Sequence, residues 1–244
     1  MYLFYSNVYT PESAHNKALR PMVHKNNVTK HNTLITASYR LNLNEQRLIL
    51  LAISKINPQE PVTEGKLFFV TVKEFQSAMG VDYQSAYKAL LEAEDSLFDR
   101  RISLEGSTGD GGDSGKSRWI QSVRYYRREG KVGLRFSYDV LPYLTELKSH
   151  FTSYALAEVA NLTSVYAVRL FEMLSQYKST RWFTISLEDF KQRLCLEGYN
   201  DIRNLKARVI TVAVEQIKAH TEFKNLRYQQ ETQGRKVVGF VFFF

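Results

Sequence analysis

Val70-Thr71-Val72-Lys73-Glu74-Phe75, followed four residues on by Met79 and then by Val81, is restated about 115 residues later as Ile185-Ser186-Leu187-Glu188-Asp189-Phe190, Leu194 and Leu196. A block that recurs with its apolar spacing intact marks a unit that folds twice in one chain. The punctuation recurs as well. Thr71 and Glu74 have the Thr-x-x-Glu spacing of a capping box that opens a helix, and Ser186 and Asp189 stand at the same spacing in the second copy.

The likeness extends outward from the block. Before the first copy, Leu41 to Ile56 holds apolar residues at i, i+3, i+4 and i+7 from Ile49 onward, which predicts one buried helical face ended by Pro58 and Pro61. Leu67 to Val72 then predicts a short strand. After Gly80, a helix is predicted from Tyr83 to Phe98 with Ala86, Leu90, Ala93 and Leu97 inward, and its counterpart from about Asn200 to Ala219 with Ile202, Leu205, Val209, Val212 and Ile217 inward. Each copy closes on a strand pair, Trp119–Arg127 with Lys131–Ser137 around Gly130, and Asn225–Glu231 with Lys236–Phe243 around Gly234. A helix–strand–helix–helix–hairpin unit resembles a winged helix, so the expected class is α+β, with tandem winged helices related by internal duplication.

The two copies differ on their outward faces. The first long helix presents Gln84, Ser85 and Lys88, then turns acidic with Glu92, Asp95 and Asp99. The second presents Asn200, Arg203, Asn204, Ala207 and Thr211, flanked by Lys206 and Arg208, and stays basic or neutral. The second is therefore the better candidate to read DNA bases. Both hairpin tips are basic, with Arg127, Arg128 and Lys131 on the first and Arg235 and Lys236 on the second. Such tips suit a wing lying along a phosphate backbone; solvation alone would give the same polarity.

A length of 244 residues with 44% hydrophobic content allows one large core or two small ones, and the duplication favours two. A net charge of +8 and a pI near 9.4 favour an anionic partner. The single cysteine, Cys195, excludes a disulfide framework, suits a reducing cytosol, and reads as a buried structural thiol. The opening MYLFYSNVYT lacks a basic flank and is too short for a signal or a membrane span. Catalysis would need a nucleophile, a metal site or an acid–base pair, and no spacing supports one; His15, His24 and His31 are too scattered for a metal ligand set. Neither an enzymatic role nor a cofactor is expected. Gly115-Lys116-Ser117 imitates the end of a phosphate-binding loop, but Asp110 stands where that motif requires glycine.

Residues 1–33 lack periodicity and predict a flexible tail. Residues 34–150 form the first domain, with a Gly/Ser/Asp loop at 105–118, and 151–244 form the second. The joint between them holds Pro142, Tyr143, Leu144, Leu147 and Phe151, which predicts a packed connection.

Three further signatures carry a family resemblance. They are Ala37-Ser38-Tyr39-Arg40-Leu41 leading into Glu45-Gln46-Arg47-Leu48-Ile49-Leu50; Phe151-Thr152 with Leu162 through Leu174; and Leu205-Lys206-Ala207-Arg208-Val209-Ile210 with Gly234-Arg235-Lys236. Over about residues 34–243 the chain resembles the replication initiators of iteron-containing, theta-replicating bacterial plasmids and related small circular replicons. The resemblance implies a monomer that binds directly repeated origin sites in double-stranded DNA. It also implies a homodimer, formed through the first domain, that binds an inverted-repeat operator and represses the protein's own gene. A host initiator and the replicative helicase would be recruited, in the bacterial cytosol and without a membrane. The family's second recognition helix falls on Asn200 to Thr211, where family members carry more arginines and this chain has Asp201 and Ala207. A dimeric repressor with no initiation role, or a protein-interaction module in the first domain, would share the fold.

Overall fold

The structure, a computed structural model, describes residues 26–104 and 115–244. The tail over residues 1–25 and most of the 105–118 loop lie outside the described residues. The end of the expected tail is a correction: Asn27–His31 forms strand β1, followed by the short helix α1 (Asn32–Thr36). Val28 and Lys30 are buried there, because β1 pairs antiparallel with a strand far along the chain.

A two-residue strand β2 (Ser38–Tyr39) leads to helix α2 (Leu43–Ile53). Asn42 and Glu45 form a reciprocal capping box at its start, and it ends at Ile53, ahead of both prolines. Every residue from Leu48 to Ile53 is buried, so α2 is enclosed rather than amphipathic. Strand β3 (Phe68–Thr71) and helix α3 (Val72–Met79) follow, joined by the Thr71–Glu74 capping box in reciprocal form. Gly80 ends α3 in the left-handed region at φ 64°, which turns the chain into helix α4 (Tyr83–Leu97). Ala86, Leu90, Ala93 and Leu97 are all fully buried, as their spacing predicts. Strands β4 (Arg101–Leu104) and β5 (Gly115–Arg118) pair beside β2, so the expected loop ends at residue 114 and Gly115-Lys116-Ser117 lies in a strand. The first wing is β6 (Ile120–Tyr126) with β7 (Lys131–Phe136).

Beyond a packed connection, in which the Leu147 N–H donates to Pro58 O at 2.8 Å, strand β8 (Phe151–Ala155) pairs with β1. Helices α5 (Leu156–Ala160) and α6 (Val165–Ser175) precede strand β9 (Trp182–Ser186) and helix α7 (Leu187–Arg193). Here only one arm of the cap forms, with Ser186 Oγ accepting from the Asp189 N–H at 3.0 Å. The next helix runs in three stretches: α8 (Ile202–Leu205), a π-helical turn (Lys206–Thr211) and α9 (Val212–His220). The closing wing is β10 (Arg227–Gln233) with β11 (Lys236–Phe243).

The duplication holds at the level of topology. In each copy the strand before the helix pair lies beside the last wing strand, giving β3-β7-β6 and β9-β11-β10. Gly239 allows this approach, because a Cβ there would lie 2.8 Å from Ile185 O across β9. The two copies share one continuous apolar core rather than two separate ones.

Candidate nucleic-acid interface

Asp201, not Asn200, begins the second long helix, because its carboxylate accepts from the Arg203 N–H at 2.8 Å. Asn200 is exposed but stands before the helix. The Arg203 guanidinium folds back on the same carboxylate at 3.4 Å with its side chain 86% exposed, and Asn204 Nδ2 also reaches it at 3.4 Å. The Arg203 backbone donor, with its guanidinium and the Asn204 backbone adding to it against slight desolvation, holds the Asp201 carboxyl below the usual range. Lys206 donates to Gln230 Oε1 at 2.9 Å, tying the helix to wing strand β10. Ala207 and Arg208 are exposed, and Thr211 is half-buried. Among the predicted inward residues, Ile202 and Val212 are only half-buried, while Ile210, Ala213 and Val214 are buried beside Leu205, Val209 and Ile217. The π turn changes which residues face the core. Arg235 and Lys236 are exposed beside the Gly234 turn, at φ 61°.

In the first copy, Gln84 and Lys88 are exposed, while the Ser85 hydroxyl donates to the capping carboxylate of Asp82. Asp99 pairs with Arg118 at 2.8 Å and Glu92 accepts from Asn44, so the acidic stretch of α4 is partly engaged by neighbours. Arg127 and Arg128 occupy an exposed single-turn 3-10 helix at the wing tip. Lys131 differs from both. It pairs with Glu129 and lies over the rings of Phe69 and Tyr126 at 4.3 and 5.5 Å from their centroids, which makes it a packing residue of the wing.

Two groups of residues that the sequence does not announce position this surface. Ser38 Oγ donates to Gln192 O at 2.7 Å, and Arg40 Nη2 donates to Cys195 O at 2.7 Å, so the β2 segment braces the turn between α7 and α8. Cys195 is half-buried rather than buried. It occupies the place of Gly80, ending α7 with a left-handed φ of 52°. The second group is a buried ionic joint. Glu172 of α6 pairs with Lys30 of β1, accepts from Tyr154 of β8, and lies 3.4 Å from both Arg169 and the Tyr39 hydroxyl. Burial alone would raise the Glu172 carboxyl, but Lys30 and Arg169 override it and hold it below the usual range. Arg169 and Glu172 at i, i+3 within the apolar run Val165–Leu174 are the only trace of this joint in the sequence.

Among the described residues, no cluster of three or more His, Cys, Asp or Glu could hold a metal ion, and no helix is long and apolar enough to cross a membrane. The family described as Initiator Replication protein, WH1 matches residues 27–175, and Initiator Rep protein, WH2 matches residues 186–244. The first match therefore includes β1, β8 and α6. A replication initiation protein of Escherichia coli is 26% identical over 223 residues, covering 88% of this chain and 68% of the relative. The PI protein of Escherichia coli is 24% identical over 253 residues, covering 91% and 83%. The crystal structure of Pi initiator protein in complex with iteron DNA superposes with a TM-score of 0.76 at 23% identity, covering 90% of this chain and 96% of that one, and so shares its fold. With both winged-helix matches falling on the two copies of the repeat, this chain belongs to the initiator replication protein family.

Proposed function

We propose that this plasmid-type replication initiator binds directly repeated origin sites, or iterons, as a monomer, with the helix from Ile202 onward reading the major groove and the Arg235–Lys236 wing holding phosphates. One observation carries the reading: the Lys206–Gln230 bond joins the recognition helix to its wing, so base-reading and phosphate-holding groups form one surface. The fold shared with the Pi initiator, which was solved on iteron DNA, supports it. The first copy contributes Gln84, Ser85, Lys88, Arg127 and Arg128 as auxiliary contacts. Through the same copy the chain forms a homodimer that binds an inverted repeat and represses its own gene. It acts in the bacterial cytosol by binding, not catalysis, and recruits a host initiator and the replicative helicase to the opened origin. A repressor with no initiation role is not favoured, since the relatives are named for replication initiation.

Gel shifts test the reading, comparing duplexes that carry the repeats flanking the gene with shuffled duplexes. The repeats should bind at least tenfold more tightly, with affinity falling steeply as salt rises. Equal affinity for both duplexes would overturn it.

A further inference from the structure

The buried face of the second long helix is spaced one residue wider than that of the first. In α4, the buried residues Ala86, Ala89, Leu90, Ala93 and Leu97 fall at i, i+3, i+4, i+7 and i+11, the spacing of a straight helix. In the second copy, Leu205, Val209, Ile210, Ala213, Val214 and Ile217 are buried, at i, i+4, i+5, i+8, i+9 and i+12. A straight α-helix would place Leu205 and Val214 about 180° apart, on opposite sides. Both nevertheless face the core. The π-helical turn at Lys206–Thr211 resolves the conflict by absorbing one residue and returning the later positions to the core side.

Removal of Ala207 would convert the buried set to i, i+3, i+4, i+7, i+8 and i+11, which a straight helix satisfies throughout. The core therefore has no need of the extra residue. It lies instead in the outward arc, where exposed Ala207 separates Lys206, turned toward Gln230 of the wing, from exposed Arg208. Without Ala207, the two cations would become neighbours about 100° apart, and Arg208 would move to the centre of the arc.

We propose that the π turn is a specificity-determining element, in which one extra residue aims Arg208 away from the wing-linked Lys206 so that the two contact separate parts of a DNA site. The proposal rests on the DNA-binding reading above. Its test is deletion of Ala207 from the full chain. Binding would be measured to a duplex enriched by the wild-type chain from a random-sequence library, and to a shuffled duplex of the same composition. Deletion should leave cooperative thermal unfolding at an equal or higher midpoint and binding to shuffled DNA within about twofold, while preference for the enriched duplex falls about tenfold or more. Retained preference would overturn the proposal. Loss of cooperative unfolding would also overturn it, because the core would then require the extra residue. Failure of the wild-type chain to enrich any sequence would instead overturn the DNA-binding reading itself.

Discussion

At the scale of single residues, the interface holds its own counter-charge. Asp201 caps the second long helix and also draws in Arg203 and Asn204, the two side chains proposed to reach base edges. Binding DNA means exchanging those contacts for contacts to DNA while a carboxylate stays beside the phosphates. Asp201→Asn keeps a good capping side chain and removes the charge. It should raise affinity for all duplexes by about threefold at low salt, an effect that shrinks as salt rises, with thermal stability nearly unchanged. Fluorescence anisotropy titrations across a salt series would measure this. Cys195 makes a separate prediction. Its left-handed backbone is the conformation that Gly80 supplies in the first copy, and a side chain there is strained. Cys195→Gly should stabilise the chain by about 1 kcal/mol in urea unfolding; a destabilisation would show that the Sγ contact to Ser38 Oγ, at 3.3 Å, outweighs the strain.

At the scale of elements, the repeated block was legible because its signals are local. The capping residues, the i, i+3, i+4 spacing of α4 and the glycines at both wing turns all act within a few residues of one another. The π turn is not legible in the same way, since periodicity assumes a constant helical pitch: that assumption turns Val212 inward, whereas Ile202, ahead of the turn, does pack half-buried against the core. The N-terminal strand is hidden in the sequence for a different reason. Asn27–His31 pairs with Phe151–Ala155, a partner more than a hundred residues away, and Lys30 within it is buried in an ion pair with Glu172. This joint predicts its own energetics. Glu172→Gln leaves Lys30 and Arg169 buried without a counter-charge and should cost about 3–5 kcal/mol. A carboxyl held below its unfolded value stabilises the fold above that value, near pH 4, and loses the contribution as pH falls through the folded value. The native chain should therefore lose stability steeply in acid, and Glu172→Gln should flatten that dependence in denaturant titrations from pH 7 to pH 3.

At the scale of the whole molecule, two copies of one topology share a core yet present different surfaces. The first helix pair ends in acids engaged by Asn44 and Arg118, and one of its three wing-tip cations, Lys131, is committed to packing. The second presents its polar arc beside a basic wing, and the first half braces it through Ser38 and Arg40. The inequality between the halves was readable from the sequence, through the acids of α4. The brace was not, because it joins residues over 150 positions apart. On the proposed DNA-binding reading, discrimination between DNA sites resides in the second copy. Its most direct test measures the affinity ratio between repeat and shuffled duplexes for two double variants of the full chain, Arg203→Ala with Asn204→Ala, and Gln84→Ala with Lys88→Ala. The first pair should lower the ratio by about tenfold or more, while the second pair should weaken both duplexes alike and leave the ratio within about twofold. A ratio that survives the first pair and collapses with the second would contradict it.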